Sequence, residues 1–189
     1  LPGRVAISSM TQSLAIASDI NISRFYWHTF DEFQTAPLHA AAYVTGEVLA
    51  GMTRAVLACL VVMGIGLLGG IQIAYGAPGL WLALLLHAWF FSSLAVALAL
   101  HVKAHADQAL LSNFVITPMA VLGGTFFPLD RLPGWAQHVL ELLPLPHAAQ
   151  AMQAAAIGQP VRFLSCGLLF LGAGAAFTWA IFSVRSAQG

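Results

Sequence analysis

Few side chains in this sequence could do chemistry, and their spacing decides which kinds are open. His101 and His105 are four residues apart with Asp107 close by, so on one helical turn they could share a metal ion. Two histidines without a third fixed ligand make a weak set, and a solvated polar loop from His101 to Gln108 is the better reading. His87 stands alone in an apolar run. A histidine there can line a polar path, but a hydrogen bond to a neighbouring helix explains it more simply. Cys59 and Cys166 also lie in apolar runs, which suits packing better than a disulfide or a metal pair. The seven acidic residues are scattered, with no pair poised for acid–base work. There is no Gly-x-x-x-x-Gly-Lys-Ser/Thr loop, so ATP is not bound by that route, and neither His-Glu-x-x-His nor Gly-x-Ser-x-Gly occurs. Nothing here promotes catalysis, and the chain is expected to hold no cofactor and no metal of its own.

The solvent explains the scarcity. Of 189 residues, 59% are hydrophobic and only 7% are charged, and mean hydropathy is +0.83. A soluble domain carries about 25% charged residues. In a bilayer, backbone polar groups are satisfied inside helices or closed barrels, and the short alternating strands of a barrel are not seen. The expected fold is all-α, a polytopic bundle of about five transmembrane helices in one domain. Net charge is zero, so no basic footprint suggests nucleic acid.

The expected spans are Val5–Ile22, Ala55–Tyr75, Leu80–Leu100, Leu110–Phe127 and Phe163–Val184. The first is the weakest, since it holds Ser8, Ser9, Thr11, Gln12, Ser13, Ser18 and Asp19. Small and hydroxylated residues let helices approach closely in lipid, which favours a protein-facing span over an amphipathic helix on the membrane surface. Glu47 and Arg54 are seven apart and nearly share a face. A charge at mid-bilayer costs roughly 2.5–3.5 kcal/mol on insertion scales, so Arg54 is placed at the boundary and the second span starts after it. Gly66 and Gly70 form a small-xxx-small pair, a candidate helix contact. Ala173, Ala176 and Ala180, with Gly172, give the last span a small-residue face.

Two connecting stretches stand out. Between Arg24 and Pro37, Trp27, Phe30 and Phe33 recur every three residues and would share a helix face, with Asp31 and Glu32 off that stripe. Composition alone makes this a short aromatic anchor at the water boundary; a docking helix for a soluble partner is the functional alternative. The second stretch, Gly123-Gly-Thr-Phe-Phe-Pro-Leu-Asp-Arg-Leu-Pro-Gly-Trp135 running on to Leu143-Pro-Leu-Pro-His147, holds four prolines that no single straight helix can pass through. It reads as a broken segment that enters the membrane face and comes back out. Basic residues orient the whole. With the Arg24 loop in the cytoplasm, Arg24, Arg54, Lys103 and Arg185 lie inside and Arg4, Arg131 and Arg162 outside, which the positive-inside rule prefers.

The order of features resembles the membrane subunit of type-2 ABC exporters, the permease family of polysaccharide, lipo-oligosaccharide and drug exporters. The resemblance covers nearly the whole chain. It is carried by Phe30-Asp-Glu-Phe-Gln-Thr-Ala-Pro-Leu38 with Thr45-Gly-Glu-Val-Leu49, by the Gly123 to Trp135 motif, and by Leu143-Pro-Leu-Pro-His-Ala148; Gly158-Gln-Pro-Val161 fits the nodulation-factor type. It implies a coupling helix over about 24–36, in which Arg24, Trp27, Phe30, Asp31, Glu32 and Phe33 meet an ABC ATPase subunit. It also implies an external segment over about 126–157. There Gly124, Phe127, Pro128, Asp130, Arg131, Pro133, Trp135, Pro144 and His147 would shape the outer gate. The implied assembly pairs two permease copies with two ATPases in the bacterial cytoplasmic (inner) membrane, and the ATP is used by the partner chains. Two departures accompany the likeness. The family has six spans and a cytoplasmic N-terminus, so this chain, beginning Leu1-Pro-Gly, is expected to lack the first span. The family's loop also often carries glycine where this chain has Trp27 and His28. The rival readings are a stand-alone channel or secondary transporter, and a membrane assembly or anchoring protein. A secondary transporter would show ionisable residues deep in its spans or paired broken helices in inverted halves.

Overall fold

Leu80 to Leu100 is a long, mostly apolar stretch, and the helix built on it is the one the others pack around. The computed structural model describes residues 2–27, 39–71, 74–102, 107, 113–114, 116–117, 144–159 and 163–188. Among them are five helices: α1 (Pro2–Phe25), α2 (Ala40–Leu68), α3 (Pro78–His101), α4 (Pro144–Ala156) and α5 (Phe163–Gln188). No strand occurs among the described residues. Helix α3 packs against all four others. Pro78 starts it at a position whose N–H has no helical partner to lose. Its large buried side chains, Leu84, Phe91 and Val96, are wholly enclosed.

Direction follows from which residues meet. Ala6 of α1 lies against His87 and Arg24 against Ala99, so α1 and α3 run side by side the same way. Phe90 of α3 lies beside Gly172 and His101 beside Trp179, so α5 shares that direction too. Helix α2 is opposed: Cys59 meets Val5, while Gly51 meets Ile16. Among the described residues, three helices are long and apolar enough to cross a membrane: Ala40–Leu68, Pro78–His101 and Ser165–Ser186. Helix α1 is not one of them by composition. Yet it spans 24 residues beside the 24 of α3, about 36 Å at 1.5 Å per residue, and so lies along a spanning helix rather than flat on the surface.

Several expectations are refined. The second apolar helix does not run from Ala55 to Tyr75; it starts at Ala40 and stops at Leu68. The stop is a hydrogen-bonded cap. Gly70 has φ +73°, and the N–H groups of Gly70 and Ile71 donate to the carbonyls of Leu67 and Gly66. Gly70 therefore lies in the turn, with open space around it, and is no half of a helix-contact pair. The close approach lies elsewhere, at Gly51, where a Cβ would sit 2.5 Å from Ser92 Oγ. Helix α4 ends the same way at Gly158, φ +74°. Pro144 and Pro146 fall in the first turn of α4, where a missing N–H costs nothing, so they begin a helix. Ala173, Ala176 and Ala180 form the buried face of α5, as their spacing predicts. Most of Leu110–Phe127 lies outside the described residues.

Candidate functional site

The cytoplasmic-side expectations converge on the last two turns of α1, and these turns are where the polar contacts between helices gather. Arg24 donates from Nη1 to the Ala99 carbonyl at 2.7 Å and to Asn21 Oδ1 at 3.3 Å. Ala99 is in the final turn of α3, where carbonyls lack helical partners and the dipole favours a cation. Asn21 is fully buried beside it. Five residues before Arg24, Asp19 forms an ion pair with Arg54 of α2. The end of α1 is thus fastened to α2 by one arginine and to α3 by another.

Depth gives the second pair its significance. At equal rise along both helices, the Ala6–His87 and Arg24–Ala99 contacts set Asp19 level with the stretch of α3 between Leu94 and Leu100. That is about 7–16 Å from the middle of α3, in the outer part of the roughly 15 Å half-thickness of a hydrocarbon core. Only 14 residues of α2 follow Arg54, ending at Leu68, about 21 Å at 1.5 Å per residue. A core of roughly 30 Å that ended at Leu68 would therefore reach past Arg54 toward the start of α2. Arginine side chains lean toward the N-terminus of their own helix, and here that brings Arg54 to Asp19. Tyr43 and Glu47 form a second hydrogen-bonded pair nearer the start of α2.

The expected docking residues divide. Arg24 belongs to α1 and is engaged with α3, not set at the start of a separate helix. Tyr26 and Trp27 form a turn whose N–H groups bond the Ile22 carbonyl, and Trp27 is 71% exposed. Phe30, Asp31, Glu32 and Phe33 lie outside the described residues, as do Gly124, Phe127, Pro128, Asp130, Arg131, Pro133 and Trp135. Of the external set, Pro144 and His147 are in the first turn of α4. The last carbonyl of α4, at Ala156, accepts the Ala74 N–H of the α2–α3 loop. This is the bundle end opposite Arg24 and Ala99.

His87 is hydrogen-bonded to a neighbouring helix: Nε2 lies 3.0 Å from the Ala6 carbonyl, and the ring packs edge-on to Phe91. Cys59 points its thiol at the Val5 carbonyl and Cys166 is half-buried; both are free. Among the described residues no three or more His, Cys, Asp or Glu side chains gather as metal ligands. His101 instead bonds the Ala97 carbonyl of its own helix and leans on Trp179.

Against this geometry the comparisons with known proteins are direct. Residues 1–157 match the family described as ABC-2 type transporter. The chain belongs to that family. Among curated relatives, it is 31% identical over 179 residues to Nodulation protein J of Neorhizobium galegae, covering 90% of this chain and 64% of that protein. It is 25% identical over 158 residues to the Inner membrane transport permease YadH of Escherichia coli K12, with 84% of this chain and 62% of the relative covered. The daunorubicin resistance ABC transporter permease protein DrrB1 of Streptomyces coeruleorubidus is 28% identical over 154 residues, 80% of this chain and 54% of that protein. This ABC-2 chain thus spans less than two thirds of the length of the curated relatives it matches.

The Asp19–Arg54 pair and the Arg24–Ala99 bond are features that spacing along the chain does not assemble. A signal existed. Asp19 and Arg54 are opposite charges within two consecutive helices of an otherwise charge-poor chain. A carboxylate and a guanidinium on neighbouring helices are best satisfied by each other.

Proposed function

We propose that this chain is the membrane-spanning permease part of an ATP-binding-cassette exporter. It would move a lipid-linked, saccharide or amphipathic cargo outward across the bacterial inner membrane. ATP is hydrolysed by a separate ABC ATPase subunit, and two permease copies make one transporter. The family match over residues 1–157 carries this reading. The segment from Arg24 to about residue 36 is the contact with the ATPase, and the region of about 126–157 shapes the exit on the other side. Closure of the ATPase pair on ATP displaces the contact segment. The first described residues to receive that push are those ending α1, and Arg24 and Asp19 pass it to α3 and α2. This is a two-state change biased from both ends: nucleotide favours one state, and cargo favours the other.

Two experiments test it together. Affinity purification of the full-length chain from its own membranes should bring down an ABC ATPase. Reversing the charges of Asp31 and Glu32 together with Trp27→Ala should leave ATP hydrolysis running while export stops. Unchanged export in that variant, or purification without any ATPase, would overturn the proposal.

A further inference from the structure

His87 has no part in the coupling path through Arg24 and Asp19, yet its setting is costly. It is fully enclosed, well inside a helix long and apolar enough to span. Nε2 lies 3.0 Å from the Ala6 carbonyl of α1. A carbonyl only accepts, so Nε2 carries the hydrogen and donates it. Nδ1 is buried with no hydrogen-bond partner among the described residues, a cost that an apolar side chain of similar size would not carry. Packing alone is therefore a poor reason for a histidine here. What the ring adds is one donor aimed at a neighbouring backbone, and an ionisable group at such depth marks a function tied to its partner.

A second bond of the same kind stands at the other end of α1, where Arg24 donates to the Ala99 carbonyl at 2.7 Å. Both bonds join α1 to α3, and both end on backbone oxygen, which no rotamer change carries away. About 27 Å of helix separates Ala6 from Arg24 at 1.5 Å per residue. One fixing would leave α1 free to pivot against α3. Two fixings this far apart stop both tilting and sliding. Helix α2 is held to α1 differently, by a half-accessible ion pair and a thiol contact at 3.5 Å. Helix α5 follows α3 through Trp89, whose ring meets Phe170 and Phe177 edge-on.

We propose that His87 is a positioning residue for coupling: with Arg24 it makes α1 and α3 a single strut. A push at the cytoplasmic end then arrives undiminished at the outer half of the bundle. The group that His87 positions is the α1 backbone at Ala6, and the Nε2 hydrogen does it. Without that donor the end held by Arg24 still moves, but the outer end of α1 lags behind α3. The inference rests on the permease reading and adds the residue through which the far end of α1 is driven.

Distance measurements between spin labels on the full-length chain in lipid nanodiscs test it. The labels sit at Arg4→Cys and Leu82→Cys, both exposed, near the starts of α1 and α3, in a Cys59→Ser, Cys166→Ser background. Glutamine carries an amide N–H about as far out as Nε2, asparagine stops a methylene short, and methionine has no donor. Without nucleotide, the parent and His87→Gln should give one narrow distance, and His87→Asn and His87→Met a second peak beside it. With the co-purified ATPase trapped by ATP and vanadate, the parent distance should stay where it was, since a strut moves as one piece. The second peak of His87→Asn should then gain population. A single narrow peak in His87→Asn in both states would overturn the proposal. So would a parent distance that shifts on trapping, or a His87→Gln variant that splits as His87→Asn does. That last arm separates a donor to Ala6 from mere packing, and the asparagine and glutamine variants carry the comparison if methionine prevents folding. The measurement without nucleotide involves no ATPase, so it stands or falls apart from the permease reading.

Discussion

Gly51 offers the sharpest test of how the bundle is built. A Cβ placed there would lie 2.5 Å from Ser92 Oγ, 3.0 Å from Ser92 Cβ and 3.6 Å from Ile16 Cγ2. The hydroxyl could rotate aside, but Ser92 Cβ is fixed to the backbone of α3 and fully buried. Gly51→Ala therefore forces α2 and α3 apart, and overpacking of this kind costs about 1–3 kcal/mol. Against it, alanine is favoured over glycine inside a helix by about 0.5–1 kcal/mol. The net expectation is a loss of roughly 0.5–2 kcal/mol, larger for Gly51→Val. Denaturation of the chain in lipid nanodiscs with a graded denaturant, read by tryptophan fluorescence, measures it. Rescue is the decisive arm. Ser92→Gly removes both close atoms, so the double variant should recover most of the Gly51→Ala loss beyond the sum of the single effects. A Gly51→Ala protein as stable as the parent, or a double variant with strictly additive losses, would refute the close approach of α2 and α3.

Two further outcomes follow from the polar contacts at the end of α1. Arg24→Ala removes a charged hydrogen bond to the Ala99 carbonyl and another to Asn21; a loss of about 1.5–3 kcal/mol is expected, checked by the same denaturation, with Arg24→Lys retaining part of it. A double-mutant cycle of Asp19→Ala and Arg54→Ala should give a coupling of only about 0.2–1 kcal/mol, because both side chains remain nearly half accessible. A coupling of several kcal/mol would mean that the pair is enclosed away from water.

How much of the molecule is legible in its sequence varies from helix to helix. The third span is expected from Leu80 to Leu100, and α3 runs from Pro78 to His101, because an uncharged, mostly apolar run bounded by Gly76-Ala-Pro-Gly79 and a polar loop leaves little freedom. The alanine face of α5 is equally plain, since Ala173, Ala176 and Ala180 can serve close packing and little else. Helix α2 is harder. Arg54 reads as a mark of the water boundary while its partner on the next helix is out of view. That partner, Asp19, is 35 residues away, and periodicity within one segment carries no record of it. The end of α2 also turns on Gly70 adopting positive φ, while Gly66 stays in the helix; composition treats the two glycines alike. At the candidate site, Arg24 stands out by type, but its engagement with Ala99 needs α3 folded beside α1.

Helix α4 carries one more lesson. Leu145 and Met152 are wholly enclosed among α1, α3 and α5, and Ala156 holds the neighbouring loop through Ala74. A latch hung on the rim could swing by itself; a keystone cannot. If cargo leaves at this rim, α4 shifts only as one piece with the frame it is wedged into, and whatever admits or bars passage there is the movement of that whole frame.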